Sequence, residues 1–278
     1  MTHSPSGGTR VRHAAAPPNL DPPEEPRRRG GGGGGLAPMW RYVIGFVAIV
    51  AVIGAVVFVT QQGDPPAPPA DQTVHSVEGA LGGRQAATLE VQSGAESVII
   101  HAEPLDQLLY RASTLPGSKV APVAGGSGDT VQLSLTGTEI AGQATIHVYL
   151  NDKVKWTLTL AGGGLRQSVD FGSGRLAGIE VKSGVQELDV TVPKPEGTMN
   201  IHVGGVGRLA VHAPTGIPAQ LTLADKGTIG EVRLDDKISK NVSGPAVMPT
   251  TPDYAGATDK YALQVDTAAA AVSVDRRP

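Results

Sequence analysis

The sequence predicts an all-β, solenoid-like domain carried outside the cytoplasm by a single transmembrane helix. Three observations predict it: an uncharged apolar run at 42–60, two-residue alternation of apolar side chains from about Thr73 onward, and recurrence of that alternation every 20–22 residues.

The first 38 of the 278 residues are rich in Pro, Gly and Arg and nearly free of large apolar groups. Such a segment cannot bury enough surface to offset its chain entropy, so 1–38 reads as a disordered tail. Gly30 to Gly35 lack the Gly-Lys-Ser/Thr ending of a phosphate loop and read as a flexible linker.

The run YVIGFVAIVAVIGAVVFVT at 42–60 spans about 28 Å as a helix, against about 30 Å of hydrocarbon. A backbone in lipid must satisfy its own hydrogen bonds, so 39–61 is expected to be a transmembrane helix. Trp40 and Tyr42 sit at the interfacial position. Arg10, Arg12, Arg27, Arg28, Arg29 and Arg41 precede the run, and the next basic residue is Arg84. The positive-inside rule then places the N-terminus in the cytoplasm and the C-terminal domain outside the cell membrane, single-pass. A cleaved signal peptide fits less well, because the run is long and no small-x-small site follows it. The Pro-rich stretch 62–75 reads as a stalk, with polyproline II the favoured conformation.

The domain itself is expected over 76–278. Trp156, Leu158 and Leu160 alternate with threonines; Ile179 with Val181, Leu188 with Val190 and Val192, Ile201 with Val203, Leu209 with Val211, and Leu221 with Leu223 follow. Gly and Pro separate these runs, the punctuation of short strands. Ile179, Ile201 and Leu221 keep one interval and Leu188, Leu209 and Val232 another. Units this short cannot bury an apolar face alone, so they must stack. LEVQSGAESVIIHA at 89–102 repeats the frame of IEVKSGVQELDVTV at 179–192. Loops are expected at 114–129 and 241–258, and 103–112 reads equally as helix or strand.

These features resemble the toast-rack β-solenoid family, which includes the C-terminal domains of LiaF-like envelope-stress proteins and adhesin-type domains. The phrases GVQELDVTVPKPEG and GGVGRLAVHAPTG carry the resemblance, with a terminal strand pair after Tyr254-Ala255-Gly256-Ala257. It is most specific over 156–236. The sequence departs from the family at Ala268 to Ala271, at a turn often made of glycines, and in having one span. The family shares no catalytic residues.

Composition narrows function. A net charge of −3 and 4% aromatics argue against a nucleic-acid partner. The absence of cysteine excludes disulfides, thiolate metal sites, cysteine nucleophiles and a lipoprotein anchor. High Ala, Gly, Val, Pro and Arg usage suggests a GC-rich bacterial source. His3, His13, His75, His101, His147, His202 and His212 form no metal-ligand spacing. His202 and His212 could ligate a metal only by meeting across neighbouring strands; the preferred reading is solvent-facing strand positions. Asp235-Asp236 reads as a solvated turn, since the calcium-loop patterns are missing. No catalytic, cofactor-binding or metal residue is therefore assigned, and no cofactor is expected. The expected function is a non-enzymatic, membrane-anchored surface module that binds or senses envelope protein or polysaccharide, within an envelope-stress response. The alternative is a structural or adhesive protein that forms homo-oligomers through exposed β edges. Besides these, the lipid bilayer is the one expected partner.

Overall fold

The computed structural model describes residues 73–277. The tail at 1–38, the apolar segment at 39–61 and most of the stalk lie outside them. Among the described residues no helix is long and apolar enough to cross a membrane.

In chain order the strands are β1 (Ser76–Ala80), β2 (Ala86–Val91), β3 (Ala95–Glu103), β4 (Leu108–Thr114), β5 (Val120–Gly125), β6 (Thr130–Gly137), β7 (Thr145–Asn151), β8 (Lys155–Leu160), β9 (Gly164–Asp170), β10 (Arg175–Val181), β11 (Val185–Thr191), β12 (Thr198–Val203), β13 (Val206–Pro214), β14 (Ala219–Leu223), β15 (Thr228–Leu234), β16 (Lys237–Ser243), β17 (Ala246–Pro249), β18 (Lys260–Val265) and β19 (Ala269–Arg277). They form two sheets. The first runs β1-β4-β7-β3-β9-β11-β13-β19-β15-β16, and the second runs β5-β6-β2-β8-β10-β12-β18-β14-β17.

Seven strand pairs repeat one plan: a strand in the second sheet, a corner, then a strand in the first. Each pair forms one rung, and neighbouring rungs are parallel in both sheets. The rungs are not stacked in chain order. The β6–β7 rung lies outside β2–β3, and the last rung, β18–β19, sits between β12–β13 and β14–β15. Antiparallel strands close both ends: β1, β4 and β5 at one, β16 and β17 at the other.

The parallel register stacks like on like. Val131, Leu89, Leu158, Ile179, Ile201, Leu263 and Leu221 form one inward column of the second sheet. In the first sheet Val148, Ile100, Val169, Val190, Val211, Val274 and Leu234 form another. All of these are buried, each aliphatic side chain contributing roughly 1.5–3 kcal/mol relative to exposure. The few large rings fill wider points and keep their polar atoms bonded: Trp156 Nε1 donates to Asn151 O (3.0 Å) and Tyr261 Oη donates to Pro193 O (2.8 Å). Burial raises the Tyr261 hydroxyl far above the usual phenol range.

The alternation expected from sequence misses one recurring feature. Near the start of first-sheet strands, two consecutive residues leave the core: Glu96-Ser97, Leu165-Arg166, Gln186-Glu187, Gly207-Arg208, Gly230-Glu231 and Ala270-Ala271. Backbones of adjacent rungs pass closely here. A Cβ on Gly207 would lie 2.6 Å from Gln186 O, and one on Gly164 would lie 2.5 Å from Ala95 O.

Three local expectations are corrected and one open reading is settled. The loop expected at 114–129 contains β5, and that at 241–258 contains the end of β16, all of β17 and a 3-10 turn at Pro252–Gly256. These are edge strands that bury little, so alternation is weak in them. The helical reading of 103–112 gives way to β4: Leu105 and Leu109 are buried, but Asp106 adopts a left-handed φ of 48° between the strands. Ala269 to Ala271 lie within β19 rather than in a turn.

Candidate interaction surface

Outward residues stack in rows just as inward ones stack in columns. One polar row crosses seven adjacent strands of the first sheet: Arg111, Tyr149, His101, Asp170, Thr191, His212 and Asp275. Its positions come from β4, β7, β3, β9, β11, β13 and β19, so the row exists only once the rungs are in register.

At one end the row is aromatic and basic. The Tyr149 ring stacks with His101 (centroids 5.9 Å apart) and His147 (6.3 Å), with interplanar angles of 22° and 17°. The Arg111 guanidinium carbon lies 4.9 Å from the Tyr149 centroid, close enough for a cation–π contact. Arg111 Nη2 also donates to Glu103 Oε1 at 3.2 Å. Partial burial, and then repulsion from His101, holds the His147 imidazole below its ordinary value.

Toward the other end the row is acidic. His212 Nδ1 lies 2.6 Å from Asp275 Oδ1, and its Nε2 lies 3.1 Å from Asp189 Oδ2. An imidazolium would donate to both carboxylates. The His212 side chain is only 12% exposed, while both aspartates remain accessible.

A parallel row carries Arg166, Glu187 and Arg208. Glu187 accepts from Arg166 Nε and Nη2 and from Arg208 Nη1, all at 3.2 Å. Exposed pairs of this kind contribute about 0–1 kcal/mol each, so they set surface pattern more than stability. Beside them runs a groove of ≈ 350 Å³ lined by Glu96, Thr145, Leu165, Arg166 and Glu187. Leu165 is 59% exposed, an isolated large apolar side chain on this polar face.

The opposite face belongs to the second sheet. There His202 Nε2 lies 2.7 Å from Asp266 Oδ2. A hydrogen bond from Gln264, opposed by partial burial and reinforced by His202, lowers the Asp266 carboxyl. His202 and His212 occupy different sheets and point away from opposite sides of the core, so they do not meet. Among the described residues no group of three or more His, Asp or Glu is placed to hold a metal. His3 and His13 lie outside the described residues. Asp235 is not simply a solvated turn residue: it is paired with Arg276, Nε to Oδ1 at 2.6 Å. Neither the seven-residue row nor this ion pair is visible in the sequence without strand register. The local signal was the solvent-facing strand position expected of His212.

Together these features define an all-β fold of two sheets built from stacked parallel rungs. A candidate cell-adhesion protein from Clostridium sporogenes has a similar crystal structure. It shares 16% identity at a TM-score of 0.53, with 74% of this chain and 99% of that one covered. A candidate adhesin from Bacteroides fragilis covers 74% of this chain and 98% of its own at 8% identity and a TM-score of 0.25. One from Parabacteroides merdae covers 74% and 79% at 8% identity and a TM-score of 0.24. No family model and no curated protein matches the sequence. The first of these likenesses establishes the fold.

Proposed function

We propose that this chain is a non-enzymatic, membrane-anchored surface module that binds envelope protein or polysaccharide through the outer face of its first sheet. The seven-residue row carries the reading. A continuous, rigidly registered strip of aromatic, basic and acidic groups suits recognition of an extended partner. Anchoring rests on the uncharged run at 42–60 and the arginines before it. With that orientation the N-terminal tail is cytoplasmic and the β domain extracytoplasmic, and a role in envelope-stress sensing follows the LiaF-like resemblance. The similar Clostridium sporogenes structure, a candidate cell-adhesion protein, adds support for a surface role.

The test uses intact cells expressing the full chain. Added protease should cleave the β domain without lysis. Retention of purified envelope fragments should fall at least fivefold in a Tyr149→Ala, His101→Ala double variant of unchanged melting temperature. Protection of the domain until lysis would overturn the topology, and undiminished retention would overturn the assigned face.

A second reading, self-association through the sheet edges, is favoured by Val123 on β5, Ile238 on β16 and Val247 on β17. These are 48%, 53% and 61% exposed on strands with an unpaired side.

A further inference from the structure

At the corner where β13 leads into β14 lies an open cleft of ≈ 780 Å³, whose Arg276 follows Asp275, the last residue of the row described above, on β19. Ile217 and Pro218, the 3-10 turn residues Pro252 and Asp253 with Thr251, and Arg276 of β19 line it. Its volume falls in the range of about 300–1,000 Å³ usual for small-ligand sites.

Its walls are fixed in advance. Thr250, 6% exposed, accepts from Ala219 N at its hydroxyl (3.0 Å) and from Lys237 Nζ at its carbonyl (3.1 Å). Lys260 Nζ donates to the carbonyls of Tyr254 (3.4 Å) and Ala255 (3.3 Å). The turn carrying Asp253 is thus held at both ends. Arg276 is held just as firmly. Its Nε and Nη2 donate to Asp235 (2.6 and 3.2 Å) and its Nη1 donates to Ile217 O (2.7 Å).

These bonds use three of the five guanidinium N–H groups, leaving one on each terminal nitrogen. The Arg276 charge is already matched by Asp235, so the cleft offers hydrogen-bond donors without a free positive charge. Asp253 is exposed and makes no ion pair among the described residues, so it offers acceptors. Pro218, Pro252 and Ile217 add C–H surface. An anion would meet the unmatched Asp253 carboxylate, and a bare cation would leave the spare guanidinium donors without acceptors. Vicinal hydroxyls accept from one side and donate to the other, while a pyranose ring lays its C–H face on the prolines.

We infer that this cleft is a saccharide-binding site for a neutral, polyhydroxylated ring at the end or along the length of a glycan. The inference goes beyond the sheet-face reading by adding a second site with a ligand class, and it rests on that reading for its extracytoplasmic setting.

The experiment is binding of the detergent-solubilised full chain to an array of immobilised neutral and acidic glycans. Asp253→Ala, Thr251→Val and Tyr149→Ala variants are measured beside it, with melting temperature as a folding control. Retention on neutral glycans should fall at least fivefold in Asp253→Ala and measurably in Thr251→Val, with Tyr149→Ala reporting separately whether the sheet face takes part. No retention on any neutral glycan, or retention indifferent to Asp253→Ala, overturns the site. Glycan retention lost only in Tyr149→Ala would overturn the cleft while leaving the sheet-face reading standing.

Discussion

Gln167 occupies an inward column that otherwise reads Ile146, Val98, Leu188, Leu209, Val272 and Val232. It is 1% exposed, its Nε2 donates to Gly162 O at 2.9 Å, and its Oε1 has no partner. The donated bond ties down the glycine corner before β9, and the orphaned oxygen is the cost of that tie. Gln167→Glu isolates the effect. Burial raises a carboxyl above its unfolded value of about 4.3. Below that value the acid is protonated in both states and can still donate to Gly162, so stability stays near that of the parent. As pH rises toward the folded-state value the penalty grows, reaching on the order of 3 kcal/mol by neutrality. Urea unfolding at pH 4 and pH 7 reads the difference, and equal losses at both would show that the site is open to water. Asp266 has the opposite sign. Its lowered carboxyl contributes stability above about pH 3.9, which is lost as pH falls through the folded value. Asp266→Asn should therefore flatten the acid limb of the stability curve.

Among the elements, the doubled outward step explains why some glycines are required and others are not. Gly207→Ala must push Gln186 O from a 2.6 Å approach, so two rungs must separate locally. The expected loss is about 1–3 kcal/mol. Gly184→Ala meets nothing within 4 Å and needs no left-handed backbone, so it should be neutral or stabilise by about 0.4–1 kcal/mol through the unfolded chain. Thermal unfolding of the two variants checks the pair, and equal destabilisation would refute the close-approach account. Both glycines read alike in the sequence, because contact between rungs is not a local property. The same limit governed the elements. Apolar periodicity revealed the β8 to β13 core, where each strand buries one face. It did not reveal β16, whose KISKNVS has no buried residue. Nor did it bring Tyr149 and His101 together: 48 positions of sequence separate two rings that stack at 5.9 Å. Lysines at 237 and 240 on that edge strand are a usual guard against unwanted pairing, but the exposed Ile238 between them weakens it. Ile238→Lys with Val247→Lys should lower any concentration-dependent association seen by sedimentation. No change would remove edge pairing as a mode of assembly.

At the scale of the described residues as a whole, the decisive feature is that the last rung in sequence, β18–β19, is inserted inside the stack. The intervals linking Ile201 to Leu221 and Leu209 to Val232 suggested direct neighbours. Instead, Leu263 and Val272 lie between them. The columns match on both sides of the inserted rung because all contain small aliphatics, so sequence periodicity cannot distinguish insertion from simple succession. Stability in such a stack is a sum of nearest-neighbour terms, and an inserted rung contributes two interfaces in each sheet. Removing residues 258–278 from the full chain therefore differs from trimming an edge. It deprives β12 and β13 of their outer partners, strands β14 and β15 without an inner one, and removes the Arg276 bonds to Asp235 and Ile217. Residues 219–249 should then lose amide protection, while β8 to β11, bounded by intact rungs, keep theirs. The competing outcome is direct docking of β14–β15 onto β12–β13, which the matched columns permit. The turn at 215–218 is shaped to step across one rung and is tied to Arg276, so docking would have to rebuild it. Hydrogen exchange on the truncated chain separates the two. Protection retained across 219–249 would mean the columns alone carry the order of the stack. Its loss would mean the carboxyl-terminal rung is the wedge that locks the far end in place.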